Sequence, residues 1–314
     1  MSIEMIFNPL TNFNSVKNQP IFSEEWTPFD IELVVKREDE IHPEVSGNKF
    51  RKLKYNINEA KKKNQNTLLT FGGAFSNHIA ATAAAGKYCG FKTIGIIRGE
   101  ELEEKIIQNP TLLYAKSCGM NLHFISREAY KQKQTPEFIA QLHALYGTFY
   151  LLPEGGTNTL AIKGCEEILN KEDTIFDYVC VSVGTGGTIA GIINSSQPHQ
   201  KVIGFSVLKG TFLNDEVSKW TNKTNWEITD AYCFGGYAKI NTVLITFINK
   251  FKKETGISLD PIYTGKMMFG IIAMIKEGKI PKKSRILAIH TGGLQGIIGM
   301  NEKLKIKNLP LIEI

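Results

Sequence analysis

Two lysines spaced three residues apart form the most reactive pattern in this sequence. Lys49 and Lys52 lie in the segment SGNKFRKL, residues 46–53, just after a glycine that lets backbone approach closely. Residues three apart share one face of a helix. A lysine in a dry pocket has a lowered pKa and can attack a carbonyl carbon to form a Schiff base. The segment fits a catalytic amine, although on its own it also fits a helix start with solvated lysines.

A glycine-rich turn after a predicted strand gives a second candidate site. The segment FGGAFSNH, residues 71–78, follows the strand predicted over Thr67–Phe71. Its two glycines free the backbone, and Ser76 or Asn77 can cap the helix that follows. Exposed N–H groups at a helix N-terminus bind anions, including carboxylates. Either a carboxylate site or a plain helix cap is consistent with this pattern.

A third pattern has the form of a phosphate cradle. The segment VGTGGTIAG, residues 183–191, follows the apolar run YVCVSV and opens a predicted helix. Its flexible backbone donors, hydroxyls and helix N-terminus suit a phosphate group. Ile189 stands where a dinucleotide-binding loop has its last glycine, and the P-loop lysine is missing. We therefore predict a site for a single phosphate group in the loop formed by Gly184, Thr185, Gly186, Gly187 and Thr188.

Three further polar clusters lie in the C-terminal part of the chain. DPIYTGK, residues 260–266, precedes a predicted helix; HTGG, residues 290–293, follows the run RILAI; GGY ends at Tyr237. Enzymes of the α/β class bind their ligands at such strand ends. Taken alone, Tyr237 is expected to be a packed core residue.

Short β-rich runs alternate with helical patterns, which positions these segments at the ends of strands. Apolar strands between helices are typical of parallel sheets covered on both faces, so we predict a doubly wound α/β architecture. The predicted strands are Thr67–Phe71, Lys92–Arg98, Asn121–Ser126, Thr148–Leu152, Tyr178–Val183, Lys201–Val207 and Arg285–Ile289. The predicted helices are Ser76–Tyr88, Asn109–Ser117, Pro136–Tyr146, Thr159–Asn170 and Thr188–Asn194.

The composition argues against several other classes of protein. A chain of 314 residues with 42% hydrophobic and 22% charged residues is expected to fold, as about two domains or one large α/β domain. The net charge of +6 is spread along the chain without an arginine-rich arm, so no nucleic-acid partner is expected. No apolar run approaches the roughly 18 residues of a membrane helix. The first ten residues, MSIEMIFNPL, lack the features of a signal peptide, so we expect none.

The cysteines and histidines do not indicate a disulfide framework or a metal site. The cysteines are odd in number, widely spaced and never in a C-x-x-C pair. We expect them to be mostly small buried residues in a reducing cytoplasm. They are Cys89, Cys118, Cys165, Cys180 and Cys233.

Together these segments resemble the fold-type II pyridoxal-phosphate enzymes, the tryptophan-synthase-β-like group. The closer similarity is to the family of D-cysteine desulfhydrase and 1-aminocyclopropane-1-carboxylate (ACC) deaminase. It runs from about Val35 to Gly296, with GNKFRKL, GGAFSNH, GTGGT, DPIYTGK and HTGG in the same order. The resemblance implies two doubly wound open-sheet domains with pyridoxal 5'-phosphate in the cleft between them. It also implies a large domain of residues 1–50 and 154–314, a small inserted domain of residues 51–153, and a homodimer acting on a small amino acid.

The resemblance gives the lysines and the glycine loop their roles toward the cofactor. Lys49 would be the Schiff-base lysine, and Lys52 would help hold the cofactor phosphate in the Gly184–Thr188 loop. Asn77 would contact the hydroxyl of the cofactor ring.

On the substrate side, the resemblance implies a second group of residues. Ser76 would take the substrate carboxylate together with the neighbouring helix N-terminus, and Asn77 and His78 would also bind the substrate. Tyr237 and Tyr263 would face the substrate. Tyr263 could act as an acid, a base or a nucleophile if its neighbours lower its pKa.

Two threonines favour one activity within the family. In the deaminase pattern a glutamate follows the second tyrosine and contacts the pyridine nitrogen, whereas Thr264 stands here. In the desulfhydrase pattern the threonine of HTGG, here Thr291, makes that contact. A hydroxyl leaves the ring nitrogen largely neutral and the cofactor a weaker electron sink, which elimination of a good leaving group tolerates. We therefore expect D-cysteine desulfhydrase activity. Ala238 stands where the family pattern has a glycine and would reshape the substrate pocket, so another small D- or L-amino acid stays open as the substrate.

Two alternatives remain open at this point. The first is ACC deaminase, which forms 2-oxobutanoate and ammonia by opening a cyclopropane ring. The second is a phosphate-binding α/β protein without catalysis, which would keep GTGGT but would need neither Lys49 nor Tyr263.

Overall fold

The computed structural model describes residues 15–314 and contains two separate β-sheets. The prediction about a signal peptide concerns residues that lie outside this range. The strands are β1 (Asn18–Ile21), β2 (Glu32–Lys36), β3 (Thr67–Gly73), β4 (Lys92–Arg98), β5 (Met120–Ile125), β6 (Tyr150–Leu152), β7 (Tyr178–Val183), β8 (Lys201–Ser206), β9 (Trp226–Thr229) and β10 (Arg285–Ile289).

Helices connect and cover these strands. The α-helices are α1 (Asn48–Lys62), α2 (Asn77–Cys89), α3 (Pro110–Ser117), α4 (Arg127–Lys131), α5 (Pro136–Tyr146), α6 (Thr159–Glu166), α7 (Gly187–Ser195), α8 (Phe212–Ser218), α9 (Thr242–Thr255), α10 (Thr264–Lys276) and α11 (Gly296–Ile306). Short 3-10 helices occupy Thr27–Phe29, Glu38–Glu40, Glu100–Gln108, Glu154–Gly156 and Lys171–Ile175. Among these helices, none is long and apolar enough to cross a membrane.

The larger sheet combines strands from both ends of the described chain. Its order is β1-β2-β10-β7-β8-β9, and every pair is parallel except β1 with β2. The antiparallel edge departs from the all-parallel expectation, and it is made by a strand upstream of the predicted ones. β2 pairs with β10 and so joins the N-terminal segment to the strands that come from residues 178–289.

The smaller sheet comes from one continuous stretch of chain. Its order is β5-β4-β3-β6, all parallel, and its strands lie between Thr67 and Leu152. This stretch interrupts the strands of the larger sheet. The division into domains of residues 1–50 with 154–314 and of residues 51–153 stays a prediction.

Both sheets bury apolar side chains on both faces. In the larger sheet, Val34 and Leu287 belong to one buried cluster, whereas Val35 and Ala288, one residue further along each strand, belong to the cluster on the other side. Successive side chains on a strand point to opposite faces, so helices must cover both sides. The same alternation separates Leu68 from its neighbour in the smaller sheet. The doubly wound architecture follows from these continuous apolar strands.

The largest differences from the predicted elements are at the edges and ends. α6 ends at Glu166, four residues earlier than predicted, because the chain then turns toward Asn170, which caps the following 3-10 helix. β1, β2 and β9 were not predicted, and two of them have only four residues. Cys165, Cys180 and Cys233 are buried as expected, whereas Cys89 and Cys118 are partly exposed. Within residues 15–314, none of the five forms a disulfide.

Candidate active site

The carboxyl ends of the central strands converge on a cavity of about 80 Å³. The loops after β3, β7 and β10 all contribute to its wall, as expected for parallel strands. The cavity adjoins an outer cleft of about 760 Å³. Gly187 is absent from the wall of the inner cavity, which is lined by the other residues expected at the site: Lys49, Lys52, Ser76, Asn77, His78, Gly184, Thr185, Gly186, Thr188, Tyr237, Tyr263 and Thr291.

Lys49 lies in the first turn of α1, against the loop after β10. The glycine before this helix, Gly47, has a φ of +63°, and a side chain there would come within 1.9 Å of the Thr291 carbonyl oxygen. The Asn48 N–H donates to the same oxygen (3.3 Å). Burial, together with the charge of Lys52, lowers the pKa of Lys49 to about 7. At neutral pH a large fraction of the Lys49 side chain is therefore an uncharged amine.

Lys52 lies at the end of the cavity that is formed by Gly155 and the glycine loop. Its ammonium group donates to the Gly155 carbonyl oxygen (2.9 Å) and to Thr157 Oγ1 (3.1 Å). Thr157 Oγ1 in turn lies 2.8 Å from Thr185 Oγ1. Gly187 completes this end, because a Cβ atom there would lie 3.2 Å from Lys52 Nζ. A cation, two hydroxyls and backbone therefore surround one small volume.

The glycine loop has the electrostatics of an anion site. It leads into α7, whose N-terminal N–H groups carry partial positive charge. Asn48 Nδ2 donates to Thr188 Oγ1 (2.7 Å), which ties the start of α1 to the start of α7. Among the described residues, two lysines and no Asp or Glu line the inner cavity. This arrangement can hold a phosphate group.

The GGAFSNH segment enters the cavity at the start of α2. Ser76 Oγ accepts a hydrogen bond from the Ile79 N–H (3.3 Å), so Ser76 is the N-cap of α2 while it also lines the cavity. Asn77 Oδ1 accepts from Gln295 Nε2 (3.0 Å). The sequence left open whether Ser76 is a helix cap or part of a ligand site. In the structure the same side chain caps α2 and faces the cavity, so the two interpretations are compatible.

His78 is a buried polar side chain without a protein partner. It is 1% exposed, and neither ring nitrogen forms a hydrogen bond within the described chain. Burial, and then the charges of Lys49 and Lys52, hold its pKa well below the usual value, so the ring is neutral. An unpaired buried donor or acceptor costs free energy, so this ring is suited to form a hydrogen bond with a group bound in the cavity.

Tyr263 and Tyr237 form the wall shared with the outer cleft. Their rings meet edge to face with centroids 6.3 Å apart. Tyr237 is 42% exposed, so the interpretation of this residue alone as a packed core tyrosine is wrong. The neighbours of Tyr263 do not lower its pKa; burial, then Tyr237 and Asp260, raise it well above the usual value. The Tyr263 hydroxyl is therefore protonated and suits an acid rather than a base or nucleophile.

Asp260 fixes the backbone on which Tyr263 stands. Its carboxylate accepts hydrogen bonds from the N–H groups of Tyr263 (2.8 and 2.9 Å) and Thr264 (3.1 Å). The Thr264 hydroxyl accepts from the Asp260 N–H (2.9 Å). Thr264 is fully buried and does not line the cavity, whereas Thr291 does, with its Oγ1 3.2 Å from Ser182 Oγ. The side chain of Thr264, the residue after the second tyrosine, therefore stabilises this turn and does not contact the cavity.

Several residues of the site were not predicted from the sequence. Ser182 is a polar residue near the carboxyl end of the apolar strand β7. A polar residue at that position of a buried strand could have been recognised from the sequence as a site residue. Thr157 and Asn48 take part through contacts with residues more than 25 positions away, which no local pattern reveals. Gly155 lines the cavity from a 3-10 turn between the two sheets.

Comparison with known proteins agrees with this geometry. The sequence profile of the pyridoxal-phosphate dependent enzymes matches residues 16–292. A bifunctional D-cysteine desulfhydrase/1-aminocyclopropane-1-carboxylate deaminase, mitochondrial, from Arabidopsis thaliana is 34% identical over 299 residues, covering 86% of this chain and 74% of that protein. A putative 1-aminocyclopropane-1-carboxylate deaminase from Thermotoga maritima is 31% identical, covering 88% of this chain and 93% of the relative.

Solved structures show the same fold. A crystal structure of an ACC deaminase homologue superposes with a TM-score of 0.80 at 26% identity, covering 97% of this chain and 99% of the other. An O-acetylserine dependent cystathionine beta-synthase from Helicobacter pylori superposes with a TM-score of 0.64 at 16% identity, covering 93% and 96% of the two chains. The predicted fold-type II architecture is confirmed.

The cavity fits the cofactor of this family. The lysine-lined end with the glycine loop suits its phosphate, a partly neutral amine faces the space beside it, and the unpaired His78 ring can form a hydrogen bond with a bound group. The match to the family of pyridoxal-phosphate dependent enzymes confirms the prediction of this cofactor. This chain belongs to the pyridoxal-phosphate-dependent enzymes, in the family of D-cysteine desulfhydrase and ACC deaminase.

Proposed function

We propose that this enzyme catalyses α,β-elimination on D-cysteine and releases sulfide, pyruvate and ammonia. The observation that carries the proposal is the pair of hydroxyls, Thr291 and Ser182, in a cavity wall that contains no carboxylate among the described residues. Thr264, which stands where the deaminase pattern has a glutamate, is buried and bonded to Asp260. A ring nitrogen that meets only hydroxyls stays largely neutral, which supports loss of a good leaving group such as sulfide.

Lys49 supplies the amine that this chemistry requires. When bound, pyridoxal phosphate supplies an aldehyde that bonds to amines and an electron sink for a carbanion. The lowered pKa of Lys49, about 7, lets its amine act as a nucleophile and later accept a proton near neutral pH. Lys52 and the Gly184–Thr188 loop would hold the phosphate.

The start of α2 would bind and orient the substrate. Its free N–H groups and the Ser76 hydroxyl face the cavity and suit a carboxylate. Asn77 would contact the ring hydroxyl of the cofactor, and His78 would lie beside the substrate. Tyr263, protonated and partly buried, would donate a proton on the substrate side, with Tyr237 closing the wall toward the cleft.

ACC deaminase activity is the second candidate. It is favoured by the names of several relatives, among them the Thermotoga maritima protein and a putative 1-aminocyclopropane-1-carboxylate deaminase from Pyrococcus horikoshii that is 29% identical. Breaking a strained carbon–carbon bond gains more from a protonated ring nitrogen. The absence of a carboxylate from the described cavity wall therefore places this candidate second.

The test is a parallel assay of the purified holoenzyme on D-cysteine, L-cysteine, D-serine and ACC. We expect sulfide and pyruvate from D-cysteine at the highest kcat/KM. Formation of 2-oxobutanoate from ACC, without sulfide from either cysteine, would overturn the assignment. The homodimer and the cytoplasmic location stay predictions; light scattering on the purified protein tests the first.

A further inference from the structure

Lys266 is a buried lysine that the proposed function leaves unused. It lies in the first turn of α10 and is 1% exposed. Its Nζ donates two hydrogen bonds of 2.8 Å, to the carbonyl oxygens of Cys233 and Gly236. Burial lowers its pKa to about 8, so at neutral pH the side chain is still mostly an ammonium. Filling space alone would not require this charge, because methionine has a similar length without the desolvation cost.

Both acceptors of Lys266 belong to the loop that carries Tyr237. The Cys233 carbonyl also accepts from the Gly236 N–H (3.0 Å), and the Gly236 carbonyl accepts from the Lys239 N–H (3.2 Å). These bonds close two consecutive turns, and Tyr237 lies inside the second. The ammonium therefore binds the two carbonyls that define the course of this loop.

The loop needs an external constraint because its backbone is unfavourable. Phe234, Gly235, Gly236 and Ala238 have φ values of +53°, +86°, +115° and +55°. Left-handed conformations are disfavoured for residues with a Cβ atom, so Phe234 and Ala238 persist there only where surrounding contacts determine the backbone. The two hydrogen bonds from Lys266 are such contacts.

The same turn of chain carries the other tyrosine of the site. Tyr263 lies three residues before Lys266, and Asp260 fixes its backbone N–H. Lys266 therefore connects a segment held by Asp260 to the loop of Tyr237. The rings of the two tyrosines carried by these segments meet edge to face.

We infer that Lys266 is a positioning residue that fixes the Tyr237 loop against Tyr263 and thereby sets the geometry of the substrate side of the site. The inference rests on the proposed function in one respect, since it takes Tyr237 to face the substrate. Lys266 itself does not line the cavity, so it acts through the loop.

The experiment compares Lys266→Met with the wild-type holoenzyme by two readouts. Hydrogen–deuterium exchange, without substrate, follows the amides of residues 230–239, which we expect to exchange about tenfold faster or more in the variant. Kinetics on the best substrate should show kcat/KM reduced about tenfold, with cofactor absorbance unchanged. In a Tyr237→Phe background, the same lysine change should reduce kcat/KM less than about twofold, because both changes act through one side chain.

Lys36→Met is the matched control, since Lys36 is equally buried but pairs with Asp173 away from the cavity. It should lower the free energy of unfolding without faster exchange in residues 230–239. If Lys266→Met does not fold, Lys266→Gln receives the same measurements. Unchanged exchange in the loop, or an equal loss of kcat/KM in both Tyr237 backgrounds, would overturn the inference. Since exchange is measured without substrate, this outcome is separable from failure of the D-cysteine assignment.

Discussion

At the scale of single residues, the proposed chemistry depends on a lysine amine, that of Lys49, losing its proton near neutral pH. The site achieves this by burying Lys49 beside a second lysine, with no carboxylate in the described wall of the inner cavity. Both effects disfavour the ammonium form. The same cationic surroundings suit a phosphate, so one arrangement serves the amine and the cofactor anchor.

Replacing Lys49 should remove covalent attachment of the cofactor. After reduction with borohydride, we expect the wild-type chain to carry the cofactor on the peptide that contains Lys49, and Lys49→Ala to carry none. Mass spectrometry of tryptic peptides gives the measurement. Lys62→Ala, an exposed lysine on the same helix, is the control and should keep the label. A labelled Lys49→Ala protein would show that another amine is used.

The lowered pKa of Lys49 predicts how cofactor loading depends on pH. Below pH 7 the side chain is mainly an ammonium and cannot attack, so the loading rate of the apoprotein should rise about tenfold per pH unit there. Above pH 7 the rate should level off. Stopped-flow absorbance records this profile. A rate that still rises steeply toward pH 10 would mean that the amine keeps an ordinary lysine pKa.

Tyr263→Phe should separate catalysis from cofactor binding. The phenylalanine keeps the ring contact with Tyr237 but removes the proton donor, so we expect kcat to fall about 100-fold with the cofactor still bound. Tyr232→Phe is the control, because that hydroxyl bonds to Glu277 near the surface. Equal turnover in wild type and Tyr263→Phe would refute the role given to Tyr263.

At the scale of elements, the turn before α9 shows why a glycine is expected after Tyr237. Ala238 occupies that position with a φ of +55°, a conformation that costs an alanine about 1–2 kcal/mol. Ala238→Gly should raise the free energy of unfolding by about 0.5–1 kcal/mol, after the larger backbone entropy of glycine in the unfolded chain is counted. Urea denaturation measures the change.

Ala231→Gly gives the matched control for that prediction. Ala231 lies in the same loop but has no positive φ, so the glycine there should lower stability. A loss of stability of the same size in both variants would mean that Ala238 is not strained.

The apolar patterns predict the central elements well, because burial on both faces leaves a continuous signal. β4, β7, β10 and α5 begin and end where the sequence predicts. The edge strands β1 and β9 were missed because four residues, partly solvated, leave too short a pattern. The end of α6 depends on Asn170, which caps the following 3-10 helix. The spacing of apolar residues gives no information about such a cap.

The candidate site was predictable where a local motif brings several donors together. Lys49, Ser76 and the glycine loop each lie in such a motif, and the structure places them around one cavity. Asp260 and Lys266 stand in a motif as well, but their importance depends on which backbone atoms they reach in the folded chain. That information lies in the tertiary structure alone.

At the scale of the whole molecule, a buried ion pair joins α1 to the segment after β2. Arg51 donates through Nε and Nη2 to both carboxylate oxygens of Glu38 (3.0 and 2.9 Å), and both side chains are almost inaccessible to solvent. Along the chain, α1 comes just before the strands of the smaller sheet, and Glu38 comes just after β2 of the larger sheet. The pair therefore connects the two parts of the chain that form the two sheets. It also holds α1, and therefore Lys49, in place.

Glu38→Gln should therefore destabilise the protein as a whole. The change removes the carboxylate that accepts both of these hydrogen bonds from Arg51, and the other ion pair of Arg51, with Glu167, is longer (3.5 Å). Breaking a buried pair in this way costs about 3 kcal/mol or more. We expect one cooperative urea transition at a lower midpoint. Glu128→Gln, from an exposed pair with Lys131, should barely move the midpoint. If the two variants shift it equally, the pair does not stabilise the junction.

The central claim is that hydroxyls, rather than a carboxylate, meet the ring nitrogen of the cofactor and so favour elimination. The most direct measurement is the ¹⁵N chemical shift of that nitrogen in holoenzyme reconstituted with labelled pyridoxal phosphate at pH 7. The geometry of Thr291 and Ser182 predicts the shift of a neutral pyridine. The shift of a protonated pyridinium would contradict the claim.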